Sequence, residues 1–391
     1  MYLCILMMRT NRLAILLTIM LLFAFYGQAQ DTISPHATVA EDTKARSNFF
    51  VSTWNWFSRW REKAQLKGYE PGYVDFPRQY PWVAGLYGTM AITNLSLHLP
   101  NLSGDSYCQI DNTTGLSSKL TAGLYYRGWG ISIGPKLSNK SDFYFTFSSY
   151  GRMIGFDIKI DYFQRLHSNL RWADIDSGNP QRGHRRGLMG PEMILLELNS
   201  YIVFNPKRFS YASALSQTTW QKRSAGSAIA GISYYASYTG FDKDFFDQFD
   251  TNANYFADTL HHLSHNILVG IGYAYNKVWD DGKWMLHASV LPLLRWAYYT
   301  KIEINPNGSL TNWPESQQTA FLQTVNDLQA GARATYLSVA CMLKLAGFYN
   351  ISQRWLAGVI CSIANSWTNQ DDGMHSSIFD SKMLVYAGYR F

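Results

Sequence analysis

Two residues in this chain have the types and spacing of a nucleophile and its base. His287 and Ser289 stand two apart in "WMLHASVLPLL", so in a strand both side chains leave the same face. An imidazole beside a hydroxyl can take the proton as the oxygen attacks an acyl carbon. The face they share is predicted to point into the interior of whatever the strand encloses, and no orienting acid is evident. A second group, "HSN" at His167, Ser168 and Asn169, has the same residue types. Adjacent residues of a strand point to opposite faces, so His167 cannot activate Ser168 there.

Other clusters suggest ligands rather than catalysis. In "LHHLSHN", His261 and His265 would meet on one helix turn and could hold a metal, with His262 between them. No glutamate accompanies them as in a metalloprotease helix, and the segment is predicted to lie in a loop, so no metal is expected. "NPQRGHRRG" gathers Arg182, His184, Arg185 and Arg186 in a long predicted loop. Such a cluster can grip lipopolysaccharide phosphates or steer an anion, or it can be a solvated loop; both readings stay open. "GWGISIG" lacks the strand, turn and helix order of a dinucleotide fingerprint, and no cofactor is expected.

What elements position these residues? The 391 residues are 47% hydrophobic, yet mean hydropathy is −0.17, so apolar residues are diluted with polar ones. That excludes a bundle of membrane helices, which needs apolar runs of about 20 residues. Aromatics and charged residues each make up 16%, against roughly 25% charged in an average soluble domain. The net charge of +6 is spread along the chain, which argues against a nucleic-acid partner.

Period-two alternation is the dominant pattern. In "GRMIGFDIKIDYF", Ile154, Phe156, Ile158, Ile160 and Tyr162 alternate with Gly155, Asp157, Lys159 and Asp161. "KLTAGLYY", "ILLELNSYIVF" and "NILVGIGYAYN" alternate likewise, several of them over more than the usual strand length. The segments predict an all-β fold: an antiparallel up-and-down transmembrane β-barrel of about 12 strands, within a range of about 10 to 14. The predicted strands span 83–99, 116–127, 128–136, 141–149, 152–163, 193–204, 222–238, 264–277, 283–298, 331–347, 353–366 and 381–391. Tight inner turns fall near Arg127, Tyr150, Asp281 and Ser352; long outer loops fall at 100–115, 164–192, 239–263, 299–330 and 367–380. A short outer loop near Asn139 and a long inner stretch at 205–221 fit this scheme less well. Pro292 inside a strand pattern predicts a bulge. Lys119, Asp157, Lys159, Asp161, Glu197, Asn199 and Lys344 are predicted to face the lumen, and the widely spaced Cys341 and Cys361 to be small apolar fillers.

The chain ends "SKMLVYAGYRF", where Met383, Val385, Ala387, Tyr389 and Phe391 step in twos to a terminal aromatic. This resembles the C-terminal signal read by the barrel-insertion machinery. At the other end, Arg9 and Arg12 precede the apolar run Leu13 to Phe25, and Gly27 and Ala29 give a small-x-small cleavage pattern. The expected organisation is a signal peptide at 1–29, a periplasmic segment at 30–78 and the barrel at 79–391. Phe50, Trp54 and Phe57 lie at helical spacing, with basic residues following, and predict a short amphipathic helix lying on the inner leaflet or against the barrel.

From about Tyr80 to Phe391 the chain also resembles a family of uncharacterised outer-membrane β-barrel proteins of Bacteroidota, a domain of unknown function. The resemblance is carried by "YPWVAGLYG", "GISIGPKL", "YGRMIGFDIKID", "YIVFNPKRFSYASALSQTTWQKRSAGSAIAGISYY" and "YAGYRF". It implies architecture and an outer-membrane location after Sec-type export in a Gram-negative cell, and supplies no catalytic residues. The leading functional expectation is a structural or pore-like barrel for small polar solutes. The alternatives are a lipid-acting hydrolase using His287 and Ser289, and a surface-binding barrel working through loops 239–263 and 299–330. Expected partners are outer-membrane lipid, lipopolysaccharide and the insertion machinery.

Overall fold

The computed structural model describes residues 68–75, 79–100, 107–135, 137, 143–164, 166–174, 181–246, 259–305, 338–368 and 375–391, with scattered helical positions within 51–59 and 315–326. The chain divides into two units, 1–63 and 64–391. In the first, Val51, Ser52, Asn55, Trp56 and Arg59 are helical and exposed. The expected signal peptide, and Phe50, Trp54 and Phe57, lie outside the described residues.

The second unit contains the strands β1 (Val74–Asp75), β2 (Trp82–Pro100), β3 (Tyr107–Thr113), β4 (Ser117–Tyr126), β5 (Trp129–Pro135), β6 (Phe143–Tyr150), β7 (Ile154–Phe163), β8 (His167–Asp174), β9 (Gln181–Met189), β10 (Glu192–Val203), β11 (Trp220–Gln221), β12 (Ala225–Phe241), β13 (Thr259–Trp279), β14 (Trp284–Asn305), β15 (Ser338–Asn350), β16 (Trp355–Thr368) and β17 (His375–Arg390). Two single-turn helices, α1 (Ala212–Leu215) and α2 (Lys243–Phe246), complete it. Twelve of the strands, β2, β4 to β7, β10 and β12 to β17, pair antiparallel in a ring. The ring closes where β17 pairs with β2 from His375↔His98 to Arg390↔Val83. Closure leaves this wall without an open edge.

Each of the twelve predicted segments lies on one wall strand, but the ends differ. At one end the connections are tight. Tyr126 pairs with Trp129 across Arg127 and Gly128, both at positive φ (46° and 84°), as the primed two-residue hairpin turn requires. At the opposite, loop end the strands outrun their sequence patterns. β13 begins at Thr259 and β17 at His375, so 259–263 of the predicted loop 239–263 and 375–380 of the predicted loop 367–380 are wall. Loop 100–115 contains β3 and loop 164–192 is the hairpin β8–β9. β2 pairs with β4 up to Ala91 and with β3 from Asn94, and β3 in turn pairs with β8. This small sheet continues the wall beyond the short strands β5 and β6, which explains the short connection near Asn139.

The expected bulge is displaced. Pro292 has no N–H to give the ladder, and β13 and β14 lose their pairing at Gly270–Gly272 opposite Leu291–Leu293. The one-residue shift itself falls at Trp296, between the pairs Ile267↔Ala297 and Leu268↔Arg295.

The outer wall is apolar. Leu86, Met90, Leu120, Ile232, Ile271, Val290, Val359 and Val385 are all exposed, far more apolar surface than a water-soluble monomer tolerates. Trp284 and Trp296 both face outward on β14. Their twelve-residue separation is about 40 Å along a strand, or roughly 30 Å across a bilayer at a tilt of ~40°. That spacing suits two interfacial aromatic girdles. Cys341 and Cys361 are on this outer wall, exposed and half-buried, rather than filling a core. Among the described residues no helix is long and apolar enough to cross a membrane; the strands do so.

Candidate functional site

The interior of the barrel is the candidate site, and three layers of side chains fill it. The layer nearest the tight turns is an inserted segment. Residues 204–224 join β10 to β12, and the chain enters the barrel instead of turning outside it. Phe209, Ser210, Ala212, Ser213, Ala214, Ser216, Thr218, Thr219 and Gln221 are essentially inaccessible. Ala214 sits in an apolar cluster with Val83, Met285, Phe348, Leu356 and Ile360, all from the inner wall. The sequence reading of 205–221 as a long inner connection between strands is therefore corrected: its small residues, Ser, Ala and Thr, let the backbone pack inside the wall.

Polar contacts hold this plug. Asn276 Nδ2 donates to Ser210 O (2.9 Å) and Gln221 Oε1 (3.2 Å). Arg390, next to the last residue, donates from Nε to Gln217 O (3.3 Å) and from Nη2 to Asn350 Oδ1 (2.9 Å). Trp220 Nε1 donates to Gly282 O (2.9 Å). From outside, segment 68–75 straps the plug: β1 pairs with β11, Glu70 N donates to Lys207 O (2.7 Å), and Arg208 Nε meets Glu70 Oε2 at 2.5 Å. That hydrogen bond, with the charge of Glu70, raises the Arg208 guanidinium above its ordinary pKa.

Above the plug lies a tyrosine layer. Tyr87 stacks on Tyr386 (4.6 Å between centroids), Tyr201 packs on Tyr211 of the plug (4.5 Å), and Tyr125 Oη is 3.1 Å from Ser132 Oγ. Glycines make room for the rings: a Cβ on Gly85 would lie 2.2 Å from the Tyr386 ring.

The third layer is charged. Lys119 Nζ meets Asp161 Oδ1 at 2.8 Å, and Lys159 Nζ meets Glu197 Oε2 at 2.9 Å and Asp157 Oδ1 at 3.6 Å. Lys382 Nζ joins the pairs, 2.8 Å from Asp380, 3.6 Å from Glu197 and 3.7 Å from Asp161. With Lys344, which lines the cavity beside Asp157 and Lys159, four lysines face four carboxylates. The cavity between the tyrosine and charged layers is only about 100 Å³. The pairs of Lys119, Lys159 and Lys382 survive burial because each of these charges has a partner in a low-dielectric interior.

The residues singled out in the sequence fall as follows. Lys119, Asp157, Lys159, Asp161 and Glu197 are inward and joined in this layer, and Asn199 is buried one step nearer the turns. Lys382 and Asp380 belong with them and were missed. His287 is buried with Nε2 3.2 Å from Ser289 Oγ, and its Nδ1 is 2.7 Å from Asn276 Oδ1, an orienting group the sequence reading lacked. His261, His262 and His265 are on β13, not on a helix or loop. His261 and His265 face outward against Tyr238 and Tyr234 (2.9 and 2.6 Å), and His262 faces inward, so the strand separates them. His167 is exposed, whereas Ser168 is buried and donates to Asn112 Oδ1 (2.6 Å). Arg182, His184, Arg185 and Arg186 lie on strand β9, not in a loop. On β17, Met383, Val385 and Ala387 are exposed and Tyr389 is half-buried, while Tyr386 and Arg390 are inside; Phe391, just past the strand, is exposed.

No curated protein is significantly similar to this chain in sequence. Among solved structures it is similar to the outer-membrane protease OmpT of Escherichia coli (7% identity, TM-score 0.40, covering 81% of this chain and 98% of that one). It is also similar to the translocator domain of the autotransporter NalP of Neisseria meningitidis (8%, 0.32, 91% and 100%). A third is the COG4313 outer-membrane channel of Pseudomonas putida F1 (8%, 0.29, 83% and 97%). These likenesses bear on no residue and no activity. The profile of the domain of unknown function DUF4421 matches residues 73–391, most of the chain including the plug and every wall strand, and the protein belongs to that family.

Proposed function

We propose that this protein is an outer-membrane β-barrel with a closed resting state, and that small polar solutes pass when the plug is displaced. The observation that carries this reading is the seating of 204–224 inside the lumen, latched by Asn276 and Arg390 and strapped by segment 68–75. A barrel built only as a membrane anchor needs no inserted segment held by polar bonds at both its ends. The charged layer above is hydrophilic, with both signs, and suits a small polar solute once water enters. In this reading the tight turns face the periplasm, where segment 68–75 is accessible to other proteins. The alternating terminal strand to Phe391 serves as the insertion signal, and the basic strand β9 faces lipopolysaccharide. The test is conductance in planar bilayers of refolded protein, wild type against a variant with residues 206–222 replaced by a short Gly-Ser turn. Silence in the first and discrete steps in the second support the reading; equal behaviour of the two refutes it.

A further inference from the structure

The clasp under the plug contains a complete nucleophile relay. Asn276 and His287 are direct partners in the β13–β14 register, and Ser289 follows two residues on along the same inward face. The bonding partners decide where each proton sits. Gln221 Nε2 donates to the backbone carbonyls of Arg208 (2.7 Å) and Arg223 (2.9 Å), so its Oε1 is an acceptor. Asn276 Nδ2 donates to that Oε1 and to Ser210 O, which fixes the Asn276 amide and leaves Oδ1 only able to accept. His287 Nδ1, 2.7 Å from Oδ1, therefore carries the ring proton. Nε2 is then bare, and the Ser289 hydroxyl 3.2 Å away is its donor. This is the tautomer that a serine nucleophile requires, with asparagine as the orienting group.

We infer that Ser289, His287 and Asn276 form an acyl-transfer site, that the plug is its lid, and that the substrate is an ester carried on an apolar chain. Tyr211 of the plug covers the relay: its ring lies 5.3 Å from that of His287. The substrate class follows from the wall. Two residues beyond Ser289 the β13–β14 ladder is interrupted, and outside it lies a concavity of about 900 Å³ lined by Ile154, Ile202, Ile232, Ile271, Pro292 and Leu294. This groove is part of the apolar belt and suits a lipid acyl chain, which would meet Ser289, on the opposite face of β14, only when the β13–β14 seam parts. β14 is pressed against β13 here: a Cβ on Gly270 would lie 1.9 Å from Pro292 O. Lys344 is the register partner of Ser289 on β15.

The chemistry balances without a cofactor. Ser289 Oγ bonds to the ester carbonyl carbon as its proton moves to His287 Nε2. The C–O bond then breaks, and the alcohol leaves with that proton. Water repeats the sequence on the acyl-serine, releasing the carboxylic acid and restoring Ser289. Asn276 is a positioning residue and touches no substrate.

The test is covalent labelling of the full refolded chain in detergent with a decyl fluorophosphonate, followed by peptide mapping. Expected is a single adduct at Ser289, slow in wild type and about tenfold faster in Tyr211→Ala, where the lid is loosened. The adduct should vanish in His287→Gln and Ser289→Ala barrels that keep wild-type heat-modifiable mobility. Tyr211→Leu, which removes the ring over His287 but keeps apolar bulk in the plug, replaces Tyr211→Ala if the latter does not fold. Equal labelling by a methyl analogue would overturn the apolar-chain substrate. No adduct in any folded form would overturn the site and leave the relay as a clasp for the plug. That failure is separate from the conductance test, which does not depend on Ser289.

Discussion

The lumen is filled twice, by opposite means. The charged layer is made by the wall itself: Lys119, Lys159, Asp161, Glu197 and Lys382 come from β4, β7, β10 and β17, and each pairs across strands. The plug is an insert, a loop between two strands that the wall grips through a few side chains. Taking away a member of the first strands a charge in a low dielectric, which the wall cannot relieve. Taking away a grip on the second returns a loop to water. The charged layer thus belongs to the barrel's stability, and the plug, on the proposed function, to its switching.

Substitutions can break this contrast at either layer. Asp161→Ala removes the carboxylate shared by Lys119 and Lys382, and should cost about 3–5 kcal/mol, read as a lowered midpoint of heat-modifiable unfolding. Arg390→Gln removes charged hydrogen bonds to Gln217 and Asn350, and should cost roughly 2 kcal/mol. Its clearer effect should be kinetic, with trypsin cutting the plug at Arg208 or Lys222 faster than in wild type while the barrel stays folded. If Arg390→Gln unfolds the barrel as readily as Asp161→Ala, the plug is a structural core and not a separable part. Ser132→Ala, in the tyrosine layer between the two, should lower the midpoint least, by about 1 kcal/mol, through loss of the Tyr125 contact.

The two layers also differed in how legible they were. Strand period alone places Asp157, Lys159 and Asp161 on one face, and the same step back from Arg390 through Tyr386 reaches Lys382 and Asp380. Lys382 is inside the predicted strand 381–391 and legible by that step alone, whereas Asp380 lies just before it, because β17 begins six residues earlier at His375. Asn276 was also within reach: a hairpin turn at Asp281 that pairs Trp279 with Trp284 sets Asn276 opposite His287. The plug was not legible. Its Ser, Ala, Thr and Gln residues read as a polar loop, because what buries them is Ala214 among Met285 and Phe348, and Gln217 against Arg390. β8 and β9 were hidden for a similar reason, since their pairing depends on β3, itself inside a predicted loop.

The most direct measurement is single-channel conductance in a planar bilayer of the wild-type protein beside the variant lacking residues 206–222. The account predicts a silent wild type and discrete steps in the variant, with ion preference altered when Asp157, Lys159 and Asp161 are also replaced by Ala. Steps of the same size in both proteins, or silence in both, would contradict a lumen held closed by its plug.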